Sequence, residues 1–243
     1  MPSAKDSLYA HNHTDVTAFR FDEKVVKVFP DMIQRSVPGY ATILQITGQL
    51  AERYAQNGSH CYDLGCSLGA SLLAMRKATS GKQLKLIGVD NSVDMLERCR
   101  NLLADDDAEN TIELIVADIL DQEITNASLC ALNFTLQFVD KSRRTELLSK
   151  IYRGMRPGGV LILSEKIDFE DREHAELMTE LHHNFKRMNG YSDLEIAQKR
   201  DAIENVLIPE SFQQHQYRLQ ECGFRGIELW FQCFNFASIV AFK

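Results

Sequence analysis

The sequence predicts a doubly wound α/β fold with a mostly parallel sheet, and three observations indicate it. Short apolar segments rich in branched residues alternate with amphipathic segments of helical period between residues 59 and 166. A turn with two glycines, DLGCSLG, separates the first apolar segment from the first helical one. The chain has 243 residues, of which 44% are hydrophobic, so it can cover both faces of such a sheet. We expect one domain overall.

The segment 1–58 is predicted to form an arm and helices that cover the ligand site. Residues 1 to about 24 are polar and have no sustained period, which indicates a flexible arm. Two helices are then expected, at 24–35 and 40–56, with SVPGY between them. The arm contains His11 and His13, but no acidic or thiol cluster completes a metal coordination shell, so a solvated tail is the better interpretation.

The segment 59–166 is predicted to be the cofactor-binding core. Its expected strands are HCYDL, LKLIGVD, IELIVAD, SLCALNF and VLILSEK. Amphipathic helices lie between them, and RPGG breaks the helix before the fifth strand. Since such strands pair in parallel through helical crossovers, helices should lie on both faces of the sheet.

The alternation ends after Lys166. The segment 167–225 is predicted to be a helical insert, or lid, followed by a last helix, and the capping boxes that begin at Ser192 and Ser211 mark two helix starts. The segment 226–243 reads as two apolar strands joined by a tight turn, which predicts an antiparallel hairpin at the sheet edge. The sheet should therefore have seven strands.

Composition excludes several classes of protein. Lys and Arg number 27 against 34 Asp and Glu, giving a net charge of -7, and there is no basic run, so direct nucleic-acid binding is disfavoured. No apolar run approaches the roughly 18 to 20 residues that span a bilayer. The 6 cysteines are scattered with no CxxC pair, as expected for reduced thiols in a cytoplasmic protein.

The turn after the first strand has the pattern DxGxSxG, formed by Asp63, Gly65, Ser67 and Gly69. Glycine permits positive φ and close approach of a ligand, while amides at the start of the next helix can donate hydrogen bonds. Glycines that only let helix and strand pack are the alternative. An acidic residue here suits an ammonium group and disfavours a pyrophosphate, so the ligand should be cationic at this end.

Polar residues also end the next three strands. Asp90 lies 21 residues after Gly69, where a carboxylate can accept hydrogen bonds from ribose hydroxyls, although a lone strand-end Asp is often a helix cap. Asp118 is placed to accept from an exocyclic amine while Ile119 packs against a flat ring. Asn133 ends the fourth strand beside the same crevice.

This set resembles the class I S-adenosylmethionine-dependent methyltransferases, as does the turn MRPGGVLILSE. The resemblance implies a Rossmann-like methyltransferase fold and S-adenosyl-L-methionine as ligand. The middle position of the glycine motif is commonly Gly in that family and is Ser67 here, whose hydroxyl can donate to the methionine carboxylate.

A sharper resemblance spans nearly the whole chain. FRFDEKVVKVFPDMIQRSVPGY, CYDLGCSLGAS, LNFTLQF, HHNFKRMNGYSDLEIAQKR and ELWFQCFNF are similar to the carboxy-S-adenosyl-L-methionine synthase family of bacterial tRNA wobble-uridine modification. The resemblance implies that S-adenosyl-L-methionine is a substrate whose methyl group is carboxylated. Prephenate supplies carbon dioxide and leaves as phenylpyruvate, its departing hydroxyl taking the methyl proton. The product, carboxy-S-adenosyl-L-methionine, then passes to a tRNA carboxymethyltransferase, and no metal is expected.

Two residue roles come from this resemblance. Arg200 matches the family residue for the new carboxyl group and is the predicted catalytic residue; from the sequence alone it would be an Arg on a solvated helix face. Tyr40 matches a cofactor contact and would otherwise be a packing aromatic. The complete set of predicted cofactor-binding residues is Tyr40, Asp63, Gly65, Cys66, Ser67, Gly69, Asp90, Asn91, Asp118, Ile119, Asn133 and Arg200.

Other candidates are weaker. Cys66 is disfavoured as a nucleophile because the turn needs small residues and no base is apparent nearby. His182 and His183 have no acidic or thiol partner at ligand spacing, so a mixed helix face is expected. The hairpin aromatics should be mostly sheet core, with a homodimer interface as second choice; they are Trp230, Phe231, Phe234 and Phe236.

Two other functions stay open. One is an ordinary methyltransferase acting on a small molecule or on tRNA, and the other is a non-catalytic protein that stores or senses the cofactor.

Overall fold

A computed structural model describes residues 4–10, 21–104 and 110–243, and its helices and strands alternate through the middle of the chain as predicted. The helices are α1 (Glu23–Ser36), α2 (Tyr40–Tyr54), α3 (Ala70–Ala78), α4 (Val93–Leu103), α5 (Lys141–Gly154), α6 (Arg172–Met188), α7 (Asp193–Ile203) and α8 (Phe212–Glu221), with a 3-10 turn at Leu136–Phe138. The strands are β1 (Ser59–Leu64), β2 (Leu84–Asp90), β3 (Thr111–Val116), β4 (Ala127–Asn133), β5 (Met155–Asp168), β6 (Glu210–Ser211), β7 (Arg225–Cys233) and β8 (Phe236–Phe242).

The sheet has the strand order β3-β2-β1-β4-β5-β8-β7. Strands β1 to β5 pair in parallel, β8 is antiparallel to β5, and β7 is antiparallel to β8, which confirms the doubly wound fold and the C-terminal hairpin. The order reverses at β1, which lies between β2 and β4. An eighth strand, β6, pairs with β5 and was not predicted, because two residues carry no hydrophobic period.

Separate apolar clusters cover the two faces of this sheet. On β1, Cys61 packs into the cluster under α2 and α3, whereas Tyr62 and Leu64 pack into the cluster under α5 and α8. All three side chains are at most 2% exposed. A strand buried on both faces is apolar at successive positions, which is why β1 reads as a short continuous run.

Two predicted boundaries differ from the structure. Strand β5 begins at Met155, directly after α5, so RPGG belongs to the strand. Strand β3 ends at Val116, two residues before Asp118, so this Asp lies in the loop that follows and does not close the strand. Patterns locate the apolar middle of an element well, but its last hydrogen bonds only poorly.

The first residues are not all a free arm. Asp6 is 2% exposed, its carboxylate accepts a hydrogen bond of 2.6 Å from the Tyr191 hydroxyl, and its amide donates to Asp31 on α1. The described stretch 4–10 is therefore packed, which corrects the prediction of a flexible arm over this stretch. His11 and His13 lie outside the described residues.

The helical insert, α6 and α7, packs against α1. His182 of α6 is 6% exposed and its Nε2 donates to the Ser36 carbonyl at 2.8 Å, whereas the neighbouring His183 is half-buried, which is compatible with the expected mixed helix face. Both predicted capping boxes are present, at Ser192 and at Ser211.

Of the four hairpin aromatics named above, Phe236 is buried, at 6% exposed, and the other three are half-buried. None of the helices in the described ranges combines the length and apolar character needed to cross a membrane.

A buried ion pair connects α5 to the chain that returns from the insert. Arg144 is 0% exposed and contacts Glu210 of β6, and its other guanidinium nitrogens donate to the Val139, Gln137 and Ile208 carbonyls. Loss of the Arg144 guanidinium would leave three buried carbonyls without this donor, while Glu210 would keep its two hydrogen bonds from Arg218.

We predict that Arg144→Ala lowers the free energy of unfolding by about 3 to 5 kcal/mol, the usual cost of removing one partner of a buried pair. Arg143→Ala is the matched control, because the neighbouring Arg143 pairs with Glu146 on the solvent-exposed side of α5 and should matter little. Urea denaturation of the two variants measures the difference, and equal midpoints would contradict this account.

Candidate functional site

The glycine turn joins β1 to α3 at the carboxyl edge of the sheet. Gly65 and Gly69 have φ of 81°, and Ser67 between them has φ of 49°. The amides of Gly65 and Cys66 donate to the Val89 carbonyl at 2.8 and 3.0 Å. Helix α3 begins after Gly69 with no side-chain cap, so amides of its first turn remain directed at the crevice.

Protein atoms account for the absence of side chains at both glycines. A Cβ on Gly65 would lie 2.3 Å from the Thr135 hydroxyl oxygen, and one on Gly69 would lie 2.7 Å from the Cys99 sulfur. The packing alternative therefore holds alongside the positive φ at each glycine. The glycines shape the turn, and the identity of the ligand has to be argued from the charged groups around it.

Asp63 at the end of β1 is the most informative of these groups. It is 2% exposed, and its Oδ2 has no hydrogen-bond partner among the described residues. Burial, with the nearby charge of Asp90, raises the pKa of Asp63 to about 7. A buried carboxylate oxygen without a donor is costly, and a cationic ligand with N–H groups would remove that cost.

Asp90 supports the turn from the next strand. Its Oδ2 accepts from the Ser67 amide and its Oδ1 from the Ser92 amide, at 2.8 and 2.9 Å. Ser92, and not Asp90, is the N-cap of α4, so the helix-cap alternative for Asp90 is wrong. Burial raises the pKa of Asp90. Each oxygen keeps a lone-pair site, so ribose hydroxyls could still donate to it. Asn91 beside it is exposed.

Asp118 and Ile119 lie beyond the end of β3. Asp118 is exposed, and its Oδ1 accepts from the Leu120 amide at 2.8 Å, which fixes a tight turn. Ile119 is 8% exposed and belongs to the apolar cluster that contains Leu64. The structure thus places a carboxylate held by a backbone amide next to a buried apolar residue, and neither residue's contact with a ligand is decided by this geometry.

Asn133 is directed into the interior of the protein. Its amide nitrogen donates to the Ser71 hydroxyl at 3.0 Å, and its oxygen accepts from Ser164 at 2.7 Å. Its side chain therefore holds α3, β4 and β5 together. The next residue, Phe134, has a positive φ of 62° and was not singled out from the sequence as a site residue, although it lies in the quoted segment LNFTLQF.

Tyr40 begins α2 and lies near Asp63, since burial and the charge of Asp63 both raise the pKa of its hydroxyl. Its ring centroid is 6.4 Å from that of Phe134.

The Cys66 thiol is 4% exposed. Burial, followed by the charges of Asp63 and Asp90, raises the pKa of this thiol, so a thiolate nucleophile is disfavoured. The hydroxyl of Ser67 contacts the Met95 sulfur at 3.4 Å.

Arg200 lies on α7, where its side chain is 57% exposed and its guanidinium donates to Asp201. Within the described ranges, no hydrogen bond or ion pair connects it to the glycine turn.

The other predicted cofactor-binding residues lie on the turn, at neighbouring strand ends or at the start of α2. No group of three or more metal-ligating His, Cys, Asp or Glu side chains occurs in the described part of the chain.

Comparison with known proteins agrees with this geometry. A family model described as a methyltransferase domain matches residues 61–159. The chain is 57% identical to a carboxy-S-adenosyl-L-methionine synthase from Trichlorobacter lovleyi and 56% identical to one from Geobacter sp., each over 100% of both chains. Human N-acetylserotonin methyltransferase in complex with SAM is similar in structure, with a TM-score of 0.61 and 16% identity over 91% of this chain and 55% of that one.

The structural similarity supports the methyltransferase fold. The sequence identity to the two synthases, above one half over the whole length, identifies the family within that fold. This chain belongs to the carboxy-S-adenosyl-L-methionine synthase family.

Proposed function

We propose that the chain converts S-adenosyl-L-methionine and prephenate to carboxy-S-adenosyl-L-methionine, phenylpyruvate and water. A carbon–carbon bond forms between the sulfonium methyl carbon and carbon dioxide. In prephenate, the bond to the ring carboxylate and the bond to the ring hydroxyl break, and aromatisation drives both. The hydroxyl leaves as water with the methyl proton, so no oxidant or reductant is needed.

The names of the relatives, matched over the full chain, support the activity. The unpartnered buried oxygen of Asp63 supports the ligand, because S-adenosyl-L-methionine carries an ammonium group that can donate to it. A nucleoside diphosphate would bring negative charge to the same place. This oxygen is the single structural observation on which the proposed orientation of the ligand depends.

Each chain group then has a binding role. Asp63 holds the ammonium group and Asp90 the ribose hydroxyls, while Asp118 accepts from the adenine amine. Ile119 packs on the adenine ring. The remaining proposed contacts are made by the turn and its neighbours, at Tyr40, Gly65, Cys66, Ser67, Gly69, Asn91 and Asn133.

Arg200 is proposed to bind the new carboxylate. Since its guanidinium is exposed and, in the described part of the chain, pairs with its sequence neighbour Asp201, it can turn to a carboxylate without breaking a buried ion pair. We also propose that the protein is a homodimer in the cytoplasm and that its product is used by a tRNA carboxymethyltransferase. A net charge of -7 disfavours tRNA as a direct substrate.

Incubation of the purified protein with both substrates should give S-adenosyl-L-methionine bearing one extra carboxyl group, detected by mass spectrometry. Omission of either substrate is the control. Formation of S-adenosylhomocysteine with a methylated acceptor would instead indicate the alternative, a methyltransferase.

Asp63→Asn tests the orientation of the cofactor. The folded pKa of about 7 lies above the ordinary value of about 4, so the ligand-free protein loses stability through Asp63 as pH rises from about 4 to about 7. Without ligand, the variant should therefore melt at a higher temperature than the wild type at pH 8, with a smaller difference at pH 5.

In the same variant, S-adenosyl-L-methionine should bind at least about tenfold more weakly at pH 8, because the charged acceptor is lost. Wild-type affinity should fall below pH 7 as the free carboxylate is protonated. Calorimetric titration at both pH values measures this, and unchanged affinity in Asp63→Asn would refute the assigned contact.

Arg200→Ala should abolish the carboxylated product while S-adenosyl-L-methionine still binds. Arg187→Ala is the matched control, because Arg187 on α6 is also exposed and pairs with Asp193. Product formation by mass spectrometry and cofactor binding by calorimetry separate the two roles. Full activity of Arg200→Ala would remove this residue from the site.

A further inference from the structure

A group of lysines lies where the helical insert meets the sheet and α1. Lys166 is on β5, Lys186 on α6 and Lys199 on α7. Lys186 and Lys199 are each 9% exposed, and Lys166 is partly buried. Lysine is among the residues least often buried, and buried lysines are ordinarily paired with carboxylates.

These lysines lack that pairing. Among the described residues, the ammonium groups of Lys166 and Lys186 have neither an ion pair nor a hydrogen bond, and Lys199 donates only to the Ser36 hydroxyl, at 3.3 Å. Contacts around His182 bring the three lysines together. His182, on the same helix as Lys186, donates to the carbonyl of Ser36, whose hydroxyl contacts Lys199, and its ring packs on Phe236, the residue opposite Lys166. Burial, followed by the charges of Lys199 and Lys166, lowers the pKa of Lys186 to about 7.

The negative charge of Asp6 acts on both Lys186 and Lys199 and opposes the lowering of their pKa values by burial. It already accepts from the Tyr191 hydroxyl at 2.6 Å, and Arg35, stacked on the Tyr191 ring, adds a further positive charge. Arg35 is paired with Asp31. Asp168 is the carboxylate that acts on Lys166. Two carboxylates cannot neutralise three ammonium groups, so the group defined by Lys166, Lys186 and Lys199 has an excess of positive charge when its lysines are protonated.

A row of aromatic rings leads from the glycine turn to this group. Ring centroids are 6.4 Å apart for Tyr40 and Phe134, 6.0 Å for Phe134 and Phe236, and 4.8 Å for Phe236 and His182. Lys166 is the residue opposite Phe236 in the pairing of β5 with β8. The positive group therefore adjoins a row of aromatic side chains in which Phe236 and His182 are buried, and Phe134 and Tyr40, at the other end, are half-buried.

We propose that Lys166, Lys186 and Lys199 form the anion subsite for the second substrate, a compact dicarboxylate with an unsaturated ring, next to the cofactor crevice. The inference rests on the proposed function and adds the residues that bind the carboxyl donor. The aromatic row contacts the ring, and the lysines bind its carboxylates as charge-assisted donors. His182 donates to the Ser36 carbonyl, and burial keeps it neutral by lowering its pKa to about 3, so it acts as part of the apolar wall.

Lys186→Met is the informative variant, because it removes the charge and keeps most of the side-chain volume. The KM for prephenate should rise at least about tenfold, with the dissociation constant of S-adenosyl-L-methionine unchanged. Thermal melting serves as a folding check, and the variant should be at least as stable as wild type, because an unpaired buried charge has been removed. Lys141→Met, at an exposed position on α5, is the matched control and should leave KM unchanged.

Titration of prephenate into the cofactor-loaded protein separates failure of the subsite from failure of the proposed function. Product formation with a KM within twofold of wild type in Lys186→Met would overturn the subsite and leave the function intact. Binding by wild type that is lost in Lys186→Met, but without any carboxylated product from wild type, would support the subsite and overturn the function. Absence of prephenate binding to wild type would overturn both.

Discussion

The rest of the structure depends on the pairing of β1 with β2 on one side and β4 on the other. This parallel register brings the carboxyl ends of three strands to one edge and places Asp63 between neighbours that bury it completely. A carboxylate in that position is unfavourable in the protein alone. The fold thus holds a negative group at the point where strand order reverses, and in the proposed complex the ammonium group of the ligand would supply the missing donor.

The site combines opposite charges at its two ends. Asp63 and Asp90 place negative charge at the turn, whereas Lys166, Lys186 and Lys199 concentrate positive charge under the insert. A substrate pair made of a cationic sulfur nucleoside and a dicarboxylate matches both ends in sign. Aromatic side chains lie between the ends, so the charges do not neutralise one another at close range. In the proposed reaction, this separation would direct the two oppositely charged substrates to different ends of the site.

Several residues that look like direct ligand contacts also maintain the shape of the site. The Asn133 side chain donates to Ser71 and accepts from Ser164, and the Asp90 carboxylate accepts from the Ser67 amide. The Thr135 side chain occupies the space where a Cβ on Gly65 would lie. Their hydrogen bonds fix the backbone that a ligand would meet. Substitution at such positions would disturb the backbone and the binding surface together, since the same side chain serves both.

The sequence by itself determined the alternation of strands and helices, the hairpin, both capping boxes and the family, because each is encoded in local period, spacing or long matched segments. Tertiary structure alone decided that Oδ2 of Asp63 has no hydrogen-bond partner among the described residues, that Asp6 is buried and bonded to Tyr191, and that Lys166, Lys186 and Lys199 lie around His182. Strand β6 and the hydrogen bond by which Asp90 holds the turn could likewise not be predicted from the sequence. The physical reason is range: hydrophobic period acts over neighbouring residues, whereas burial and charge depend on groups that only folding brings together.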